Sequence, residues 1–388
     1  MLRERKIKEV IIFGAGYYGI MAIYFCKKKQ IKVISCMDNN VNRQGKVLFD
    51  DVPCKKPYFE KDIPVIISIK DDELAKELLE QCKKLGYTDI VRVDHDKLEN
   101  EYHKLPDKEY CELQYALCIN GKTIDWNNPI TFNEKIQWLK LHDRRPEYTK
   151  LVDKYEVKKS VAEKIGMEYI IPTLGVWNNF DDINFDELPE KFVLKCTHDS
   201  GGVIICTDKT HFDKQNVKEK LQNSLRRNYY YVGREWPYKN VEPRIIAEQY
   251  LEDKEGKEII DYKLMCFNGS VECSFVCSNR RGNGGLCVNF YDKEWNAMPF
   301  CRHYPKREME FDKPKLYDRM VEIAEILSKH IPFVRVDLYI CNQQIYFGEM
   351  TFYPGNGVEE FTPDMWDVKL GEWLKLPENM IHDTDVEA

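Results

Sequence analysis

The sequence predicts two parts: a small N-terminal α/β part with a parallel sheet, and a larger α+β part behind it. Three observations predict this. Short β-rich runs alternate with helical stretches up to about residue 93, and a glycine-rich turn directly follows the first of these runs. Strands and helices then mix from residue 170 onward, after a mostly helical stretch. Alternating strands and helices build a parallel sheet with helices on its faces.

The composition is that of an ordinary globular protein. The chain has 388 residues, of which 43% are hydrophobic and 32% charged, enough for two domains with buried cores. The net charge of -7 argues against a general nucleic-acid binder, which needs a basic surplus for phosphate contacts. The 14 cysteines are scattered without a CxxC pair, and the 8 histidines are equally dispersed. We therefore expect no zinc site, and free thiols typical of a reducing cytoplasm.

The N-terminus superficially resembles a signal peptide, because basic residues precede a mostly apolar stretch over residues 10–26. That stretch nevertheless carries Gly14, Gly16 and Gly19 in the order of a strand-to-helix turn. The basic run at residues 27–29 follows it in place of a small-residue cleavage site. We therefore expect a folded domain here. No other segment approaches the length of a membrane span.

The first part is predicted to be a small Rossmann-like domain over residues 1–98. The turn Gly14-Ala15-Gly16-Tyr17-Tyr18-Gly19 reads GxGxxG, and Asp38 ends the second strand where a ribose-binding acid would lie. Whether the domain binds NAD, another nucleotide or a nucleotide sugar stays open. The alternative is that the glycines only allow a tight turn and close helix packing. The predicted strands cover residues 10–13, 31–37, 64–69 and 89–93, and the predicted helices cover residues 17–30 and 71–85.

The second part is predicted over residues 106–388, with a helical lead-in to about residue 168. A polar, charged stretch over residues 94–109 is expected to be the linker. Beyond it, Thr131-Phe132-Asn133-Glu134 is typical of a capping box that opens a helix. Residues 192–196 and 203–207 have strand character and flank a glycine turn, which predicts a hairpin.

Two acids near the C-terminus predict a metal site. Asp337 and Glu349 lie in two strand-like runs joined by a short turn, so a hairpin would place them on adjacent strands. Two carboxylates suit a hard divalent cation such as Mg²⁺. Arg335 leaves the same strand face as Asp337, where its charge suits a developing acyl-phosphate or phosphoryl transition state. A surface salt bridge on a solvated hairpin is the alternative.

Candidates for nucleotide contacts lie upstream of these acids. Lys195 ends an apolar strand and precedes Ser200-Gly201-Gly202, whose backbone N–H groups suit phosphates; a plain hairpin turn is the alternative. Glu248-Gln249-Tyr250-Leu251-Glu252 is a strand that runs into a linker. Its backbone groups could pair with an adenine edge, and Glu252 could meet the ribose hydroxyls. Lys263 begins another strand as a second lysine.

The order of these motifs resembles the ATP-grasp superfamily, in which two α+β lobes clamp ATP between them. The resemblance implies that Lys195 and Lys263 contact phosphates and that residues 249–251 line the adenine. It further implies that Asp337 and Glu349 hold Mg²⁺ while Arg335 steadies an acyl phosphate. The tail looks like the D-alanine–D-alanine ligase branch, except that Thr351 stands where that branch usually has a metal-binding asparagine. A threonine hydroxyl ligates Mg²⁺ more weakly, so the number of metal ions, one or two, stays open.

Longer blocks resemble the teichuronopeptide-biosynthesis (TupA-like) ATP-grasp proteins of bacterial surface-polysaccharide loci. The resemblance covers about 260 residues, from Cys111 to Trp373, and its most specific blocks are residues 128–139, 148–154, 192–202 and 346–354. By its place in the pattern, Lys154 is also implied to reach the nucleotide phosphates. The alternative is that Asp153 and Lys154 merely open a helix.

The resemblance implies an ADP-forming carboxylate–amine ligase with ATP and Mg²⁺ as cofactors. The γ-phosphate would pass to a carboxylate, and an amine would then displace phosphate from the acyl phosphate to leave an amide. For a surface-polysaccharide enzyme we expect a uronic acid, on a nucleotide sugar or a glycan, and an amino acid or small amino alcohol. The expected location is the cytoplasm, no nucleic acid is an expected partner, and membrane association through a glycan substrate stays open.

Other assignments stay open at this stage. Arg280 and Arg281, in a glycine-rich loop, are candidates for substrate contact, against a flexible surface turn as the alternative. Residues 229–231 and Trp236 offer aromatic faces for a sugar, with internal packing as the alternative. The competing functions are a kinase-like transfer to a hydroxyl, a glycosyltransferase (for which no convincing DxD motif is present) and a degenerate binding module.

Overall fold

The computed structural model describes residues 7–254, 259–278 and 285–377. The chain divides into two compact units, one ending at Asp125 and the other beginning at Trp126. The first unit contains a parallel sheet of five strands in the order β3-β2-β1-β4-β5. The strands are β1 Glu9–Phe13, β2 Lys32–Met37, β3 Cys54–Lys55, β4 Val65–Ile67 and β5 Ile90–Arg92. The helices are α1 Tyr17–Lys28, α2 Asp72–Leu85, α3 His95–His103 and α4 Asp107–Cys118.

The first sheet is buried on both faces, as a parallel sheet with helices on each side must be. Successive side chains of β1 point to opposite faces. Val10 and Ile12 pack in the core that contains α1, whereas Ile11 and Phe13 pack in the core that contains α2. The predicted α/β fold with a parallel sheet is therefore confirmed.

The glycine-rich turn joins β1 to α1, as predicted. Gly14 has a φ of +105°, and a Cβ atom at Gly19 would overlap the Gly14 carbonyl oxygen, so the turn needs both glycines for close packing. Asp38 accepts hydrogen bonds of 2.8 Å from the backbone N–H groups of Ala15 and Asn40. The acid that the sequence matched to a ribose therefore already binds the backbone of its own unit.

The predicted linker over residues 94–109 is wrong. The Asp94 side chain accepts a 3.1 Å hydrogen bond from the Lys97 N–H and caps α3, and α4 begins within the same stretch. Tyr102 stacks on Tyr110 at 4.5 Å between ring centroids, and Leu113 is fully buried in the core that contains α1. Two short helices therefore present their polar side chains to water and bury a few apolar ones, which the polar composition concealed.

The described residues of the second unit form three antiparallel sheets. Their strand orders are β6-β9-β7-β8, β12-β11-β10-β14-β15 and β13-β16. The strands are β6 Thr173–Trp177, β7 Phe192–Cys196, β8 Ile204–Cys206, β9 Ile245–Gln249, β10 Asp261–Phe267, β11 Ser270–Ser278, β12 Cys287–Asp292, β13 Cys301–Arg302, β14 Phe333–Cys341, β15 Gln344–Thr351 and β16 Phe361–Thr362. The helices are α5 Phe132–His142, α6 Glu147–Val152, α7 Glu156–Ile165, α8 Lys214–Leu225, α9 Tyr230–Gly233, α10 Tyr317–Ser328 and α11 Met365–Trp373.

Several local predictions for this unit are confirmed. Thr131 and Glu134 form the capping box that opens α5, and β7 pairs with β8 as the predicted hairpin. The residues that precede β6 are largely helical in α5, α6 and α7. Each of these features depends on residues close together in sequence.

The five-stranded sheet of the second unit has one face in the core and one face toward the candidate site. Val336 and Leu338 of β14 are fully buried and belong to the core that includes α10. Because strand side chains alternate, Arg335 and Asp337 lie on the opposite face. The sheet thus separates the apolar core from a charged surface.

Among the residues that the structure describes, none of the helices combines the length and the apolar character that a membrane crossing requires. All 14 cysteines lie in the described part of the chain, and none of them forms a disulfide there.

Candidate active site

A row of charged residues crosses the site face of the five-stranded sheet. Lys263 of β10 is the register partner of Asp337 on β14, and Asp337 is in turn the partner of Glu349 on β15. Register partners on neighbouring strands project from the same face. The predicted placement of Asp337 and Glu349 on adjacent strands is therefore confirmed.

A β-bulge at Gly348 sets this register. Leu338 pairs with Phe347 while Asp337 pairs with Glu349, so Gly348 has no partner of its own on β14. A Cβ atom at Gly348 would lie 2.8 Å from Cε2 of Tyr339 and 3.0 Å from the Asp337 carbonyl oxygen. Only glycine fits there without displacing the two strands.

Asp337 is a buried acceptor between two cations. It is 1% exposed, and its two oxygens accept hydrogen bonds of 2.6 and 2.7 Å from Nε and Nη2 of Arg335. Lys263 also donates to Asp337, and it forms a 2.7 Å ion pair with Asp261. Burial raises the pKa of Asp337 to about 6, although Arg335 and Lys263 act against it. Asp337 thus holds Arg335 and Lys263 in place.

Glu349 faces an open space. Its side chain is 42% exposed, although Nη2 of Arg335 lies 3.1 Å from Oε1 and the Thr351 hydroxyl donates to the same oxygen at 3.3 Å. Burial would raise the pKa of Glu349, but four cationic side chains outweigh it and lower that pKa to about 2. These side chains belong to Arg335, Lys263, Lys154 and Lys195.

The four-stranded sheet supplies Lys195 to this cluster. Glu248 of β9 is buried and bridges two lysines, with Oε2 at 2.6 Å from Nζ of Lys195 and Oε1 at 2.6 Å from Nζ of Lys158. Burial would raise the pKa of Glu248, but the two lysines lower it, so it is an anion. Glu248 was predicted to lie along the nucleotide. In the structure it holds two lysines beside the site.

Lys154 comes from the segment before α7. Its ammonium donates to the Asp199 carbonyl oxygen, and burial lowers its pKa. The neighbouring Asp153 accepts hydrogen bonds of 2.8 and 3.2 Å from the N–H groups of Tyr155 and Glu156, which opens α7. Asp153 therefore begins the helix, and Lys154 lies in the charged cluster around Glu349. Contact of Lys154 with nucleotide phosphates stays a prediction.

The glycine loop after β7 is open to solvent. Ser200, Gly201 and Gly202 are exposed, and the two glycines have φ angles of +85° and +66°. A Cβ atom at Gly201 would meet no other atom within 4 Å. The left-handed backbone therefore calls for glycine, while the surrounding space leaves room for a ligand.

The residues at the end of β9 and just after it differ in exposure and in hydrogen bonding. The N–H of Gln249 donates to the Pro172 carbonyl oxygen at 3.0 Å, so it is used inside the protein. Tyr250 and Leu251 are half-buried, whereas Glu252 is exposed and forms a 2.6 Å ion pair with Lys191. Contacts of this segment with an adenine and a ribose stay a prediction.

Three further charged residues beside the cluster, Lys158, Asp261 and Asp199, were not predicted from the sequence. Lys158 lies in α7, and its Nζ is 2.6 Å from Oε1 of Glu248, the acid that also binds Lys195. Asp261 lies two residues before Lys263 and so projects from the same face of β10. Asp199 precedes the glycine loop and lies 3.7 Å from Nζ of Lys154. The candidates Arg280 and Arg281 lie outside the described residues.

The donor set fits a divalent cation that also binds a ligand. Glu349 and Thr351 offer oxygens on the accessible side, while the oxygens of Asp337 already accept from Arg335 and Lys263. Within residues 7–254, 259–278 and 285–377, no group of three or more His, Cys, Asp or Glu side chains could hold a metal ion. A bound Mg²⁺ would therefore take further oxygens from phosphate or water.

Comparisons with known proteins address the fold and the family. Residues 134–375 match the family model described as TupA-like ATPgrasp. Similar solved structures include the D-alanine–D-alanine ligase from Bacillus anthracis complexed with ATP (13% identity, 89% of this chain, 85% of that chain, TM-score 0.33). Another is phosphoribosylamine–glycine ligase from Thermotoga maritima (11% identity, 88% of this chain, 68% of that chain, TM-score 0.31). A third is the ATP-grasp ligase PsnB complexed with a phosphomimetic variant of its minimal precursor, Mg and ADP (8% identity, 95% of this chain, 99% of that chain, TM-score 0.31). No curated protein matches this chain.

The identities and TM-scores of these structures are too low to carry an argument about this chain, so the assignment depends on the family match. That match spans more than half of the 388 residues and includes every predicted site residue from Lys154 to Thr351. The match confirms the resemblance to the TupA-like ATP-grasp proteins that the sequence blocks indicated. The chain therefore belongs to the TupA-like ATP-grasp family and is an ATP-dependent enzyme of the carboxylate–amine ligase type.

Proposed function

We propose that this enzyme joins a uronic acid of a capsular or cell-surface polysaccharide, or of its nucleotide-sugar or glycan precursor, to an amino acid or amino alcohol. The proposed reaction uses Mg-ATP and passes through an acyl phosphate. The observation that carries the proposal is the convergence of four cations on one accessible carboxylate, Glu349. A site for phosphoryl transfer needs such positioned positive charge more than it needs a nucleophilic side chain.

Lys154 and Lys195 are the proposed phosphate contacts. Each is mostly buried, and each is held by a protein acceptor: Lys154 by the Asp199 carbonyl oxygen, and Lys195 by Glu248. A buried ammonium beside an anion keeps its position and binds phosphate oxygens with little reorganisation. The exposed loop Ser200-Gly201-Gly202 follows the strand that carries Lys195, and its N–H groups are the proposed cover of the phosphates.

Arg335 is the proposed partner of the acyl phosphate. Its Nη2 donates to Asp337, Glu349 and the Thr351 hydroxyl at 2.7, 3.1 and 2.9 Å. These three bonds fix the guanidinium before any substrate binds. Fixed donors stabilise developing charge well because they need not reorganise during the reaction. Lys263, held by Asp337 and Asp261, is proposed to act beside it.

Mg²⁺ is the proposed metal, held by Glu349 with Thr351 and Asp337. When bound, the metal would supply positive charge that stabilises the phosphoryl group during its transfer. The Thr351 hydroxyl already donates to Glu349. Thr351 therefore contributes at least by orienting that carboxylate, whether or not it also binds the metal.

The proposed acceptor and amine are inferred from the family and from the type of reaction. A uronic acid follows from the family's resemblance to surface-polysaccharide proteins, and an amino acid or amino alcohol follows from the ligase chemistry. The fold alone does not select a substrate. An assay with several acceptors and amines is therefore needed.

The test is product analysis with the full-length protein, Mg-ATP, UDP-glucuronate, UDP-galacturonate and a mixture of amines. ADP and phosphate that appear only with both a uronate and an amine, and disappear in Glu349→Gln, are the expected result. ADP formed without an amine, with phosphate retained on the sugar, would identify a kinase instead. Release of UDP without ATP turnover would identify a glycosyltransferase.

A further inference from the structure

Glu235 is a buried carboxylate that the proposed chemistry has not used. It is 6% exposed and lies between α9 and the short turn Trp236–Tyr238. Within the described part of the chain, no hydrogen bond or ion pair involves its carboxylate oxygens. Its oxygens are nevertheless not among the fully enclosed side-chain atoms that lack a partner, so they remain accessible to a ligand. A largely buried carboxyl group normally has a hydrogen-bonding or charged partner.

Glu235 lies beside the candidate active site. Its carboxylate is within electrostatic reach of Arg335 and Glu349, the two residues joined across β14 and β15. Two tyrosines lie near it: Tyr229 and Tyr238 form an edge-to-face pair at 4.9 Å between ring centroids, and both are influenced electrostatically by Glu235 and Glu349. One largely buried carboxyl group therefore lies near both an aromatic pair and a cationic cluster.

The hydrogen bonds described for the two cations near Glu235 go to other acceptors. Nζ of Lys140 donates to Oε1 of Gln137 at 3.0 Å, to the Asn356 carbonyl oxygen at 2.7 Å and also to the Asn356 side chain. Nε and Nη2 of Arg335 donate to Asp337, Glu349 and Thr351. Lys140 and Arg335 attract Glu235 without hydrogen bonding to it.

A partner from outside the chain would satisfy this carboxylate. An ammonium group offers both the positive charge and the N–H donors that a buried carboxylate requires. Such a partner differs from the phosphates and the uronic acid, which are anions and suit Lys154, Lys195 and Arg335. The amine substrate of a carboxylate–amine ligase is protonated near neutral pH when it arrives.

We propose that Glu235 binds the ammonium group of the amine substrate and makes the enzyme select cationic amines. This inference depends on the proposed ligase function and specifies its second substrate. Tyr229 and Tyr238 form the walls on either side of the bound ammonium, because aromatic faces attract cations. Glu235 is thus a specificity residue placed beside Arg335, where the acyl phosphate is proposed to form.

The experiment compares two nucleophiles on the same acceptor. Ethanolamine and L-lysine are cationic near neutral pH, whereas hydroxylamine is largely uncharged and traps an acyl phosphate as a hydroxamate. The full-length wild type, Glu235→Gln, Glu235→Asp and the surface control Glu242→Gln are assayed with Mg-ATP and the uronates. The KM for the cationic amine, the KM for ATP and the hydroxamate rate are measured for each.

In Glu235→Gln, the KM for the cationic amine should rise about tenfold to a hundredfold, as expected for a lost charge-assisted hydrogen bond. The hydroxamate rate and the KM for ATP should stay within about twofold of wild type, because neither depends on an ammonium group bound at Glu235. A twofold change is well below the tenfold change expected for the cationic amine. Glu235→Asp should recover part of the amine affinity, and Glu242→Gln should match the wild type. An equal loss of both products in Glu235→Gln, or a loss of neither, overturns the proposal.

A second readout does not depend on turnover and separates this inference from the proposed function. If the wild type forms neither product, the ligase proposal fails. Binding of ethanolamine and L-lysine to the protein with Mg-ADP is then decisive. Greater thermal stabilisation of the wild type than of Glu235→Gln supports an ammonium site at Glu235, and equal stabilisation of the two proteins overturns it.

Discussion

Asp337 and Glu349 are register partners across β14 and β15, yet Asp337 is 1% exposed and the Glu349 side chain is 42% exposed. Both carboxylates bind the same Arg335 guanidinium. Asp337 is enclosed by Arg335 and Lys263, whereas Glu349 turns its free surface toward the open space. Two acids in one motif therefore differ in their surroundings: Asp337 is enclosed by cations, and Glu349 is accessible.

Asp337→Asn should cost more stability than Glu349→Gln, although both should abolish most activity. Removing the buried anion leaves Lys263 and Arg335 under-compensated, which costs about 3–5 kcal/mol in the free energy of unfolding. Glu349→Gln should cost clearly less because water already screens its exposed surface. ATP turnover should fall about 10²–10³-fold in each. Urea denaturation and ADP release measure both effects, and equal stability losses would contradict the difference between the two acids.

Lys195→Met should weaken nucleotide binding. The lysine is held by Glu248 and lies in the cluster around Glu349, so its loss removes a proposed phosphate contact. The KM for ATP should rise about tenfold or more, the effect of one charge-assisted hydrogen bond. Lys218→Met is the matched control, because Lys218 pairs with the exposed Asp181 on the surface. A rise in KM for both variants would point to a general effect of lost charge.

The stability of the protein should depend on pH through Glu235. Burial raises the pKa of this carboxyl from 4.5 to about 7. The negative charge of Glu349 also raises this pKa, whereas the positive charges of Lys140 and Arg335 lower it. Between those values the folded state binds more protons than the unfolded state, so the free energy of unfolding falls as the pH rises. The whole fall amounts to about 3 kcal/mol.

Glu235→Gln should remove this contribution. Urea denaturation of the wild type and the variant at about pH 5 and about pH 8 isolates it, because all other titrating groups are shared. The free energy of unfolding of the variant minus that of the wild type should therefore be larger at about pH 8 than at about pH 5. A difference between the two proteins that does not change with pH would mean that Glu235 is not the titrating group.

Gly348→Ala should impair the active site from a position that carries no functional group. The added Cβ would press on the Tyr339 ring and the Asp337 carbonyl oxygen, so β14 and β15 must shift. We expect a stability loss of about 1–3 kcal/mol, as for overpacking, and at least a tenfold loss of turnover as Glu349 moves away from Arg335. Wild-type turnover in this variant would show that the bulge does not position Glu349.

Two glycines of the turn between β1 and α1 should respond differently to alanine. A Cβ at Gly19 would overlap the Gly14 carbonyl oxygen, whereas at Gly16 it would meet Nη1 of Arg43 at 2.9 Å, the end of a flexible side chain. Gly19→Ala should therefore destabilise the N-terminal unit by about 3 kcal/mol or more, and Gly16→Ala by less than about 1 kcal/mol. Thermal denaturation measures this. Normal stability with reduced turnover in Gly16→Ala would indicate that the turn binds a substrate.

Features built from neighbouring residues could be predicted from the sequence. The capping box at Thr131, the β7–β8 hairpin and the pairing of Asp337 with Glu349 follow from short spacings. The parallel first sheet follows from the alternation of strands and helices. Each of these depends on local conformational preference or on a short turn, which fixes the partner with little help from distant contacts.

The predicted linker failed for the opposite reason. Residues 94–109 are polar on average, but Tyr102 and Leu105 are buried against distant parts of the first unit. A few apolar side chains at helical spacing are enough to dock a short helix once a partner surface exists. That surface cannot be read from the polar stretch itself.

By itself, the sequence determined the strand that carries Arg335 and Asp337, the strand that carries Glu349 and the family to which both motifs belong. Only the tertiary structure decided which charges meet. It brought Lys154, Lys195 and Glu235 to the same cluster from three separate segments, and it enclosed Asp337 while leaving Glu349 open. The physical reason is that electrostatic interactions depend on distance and burial, and segments far apart in sequence acquire these only when the sheets pack.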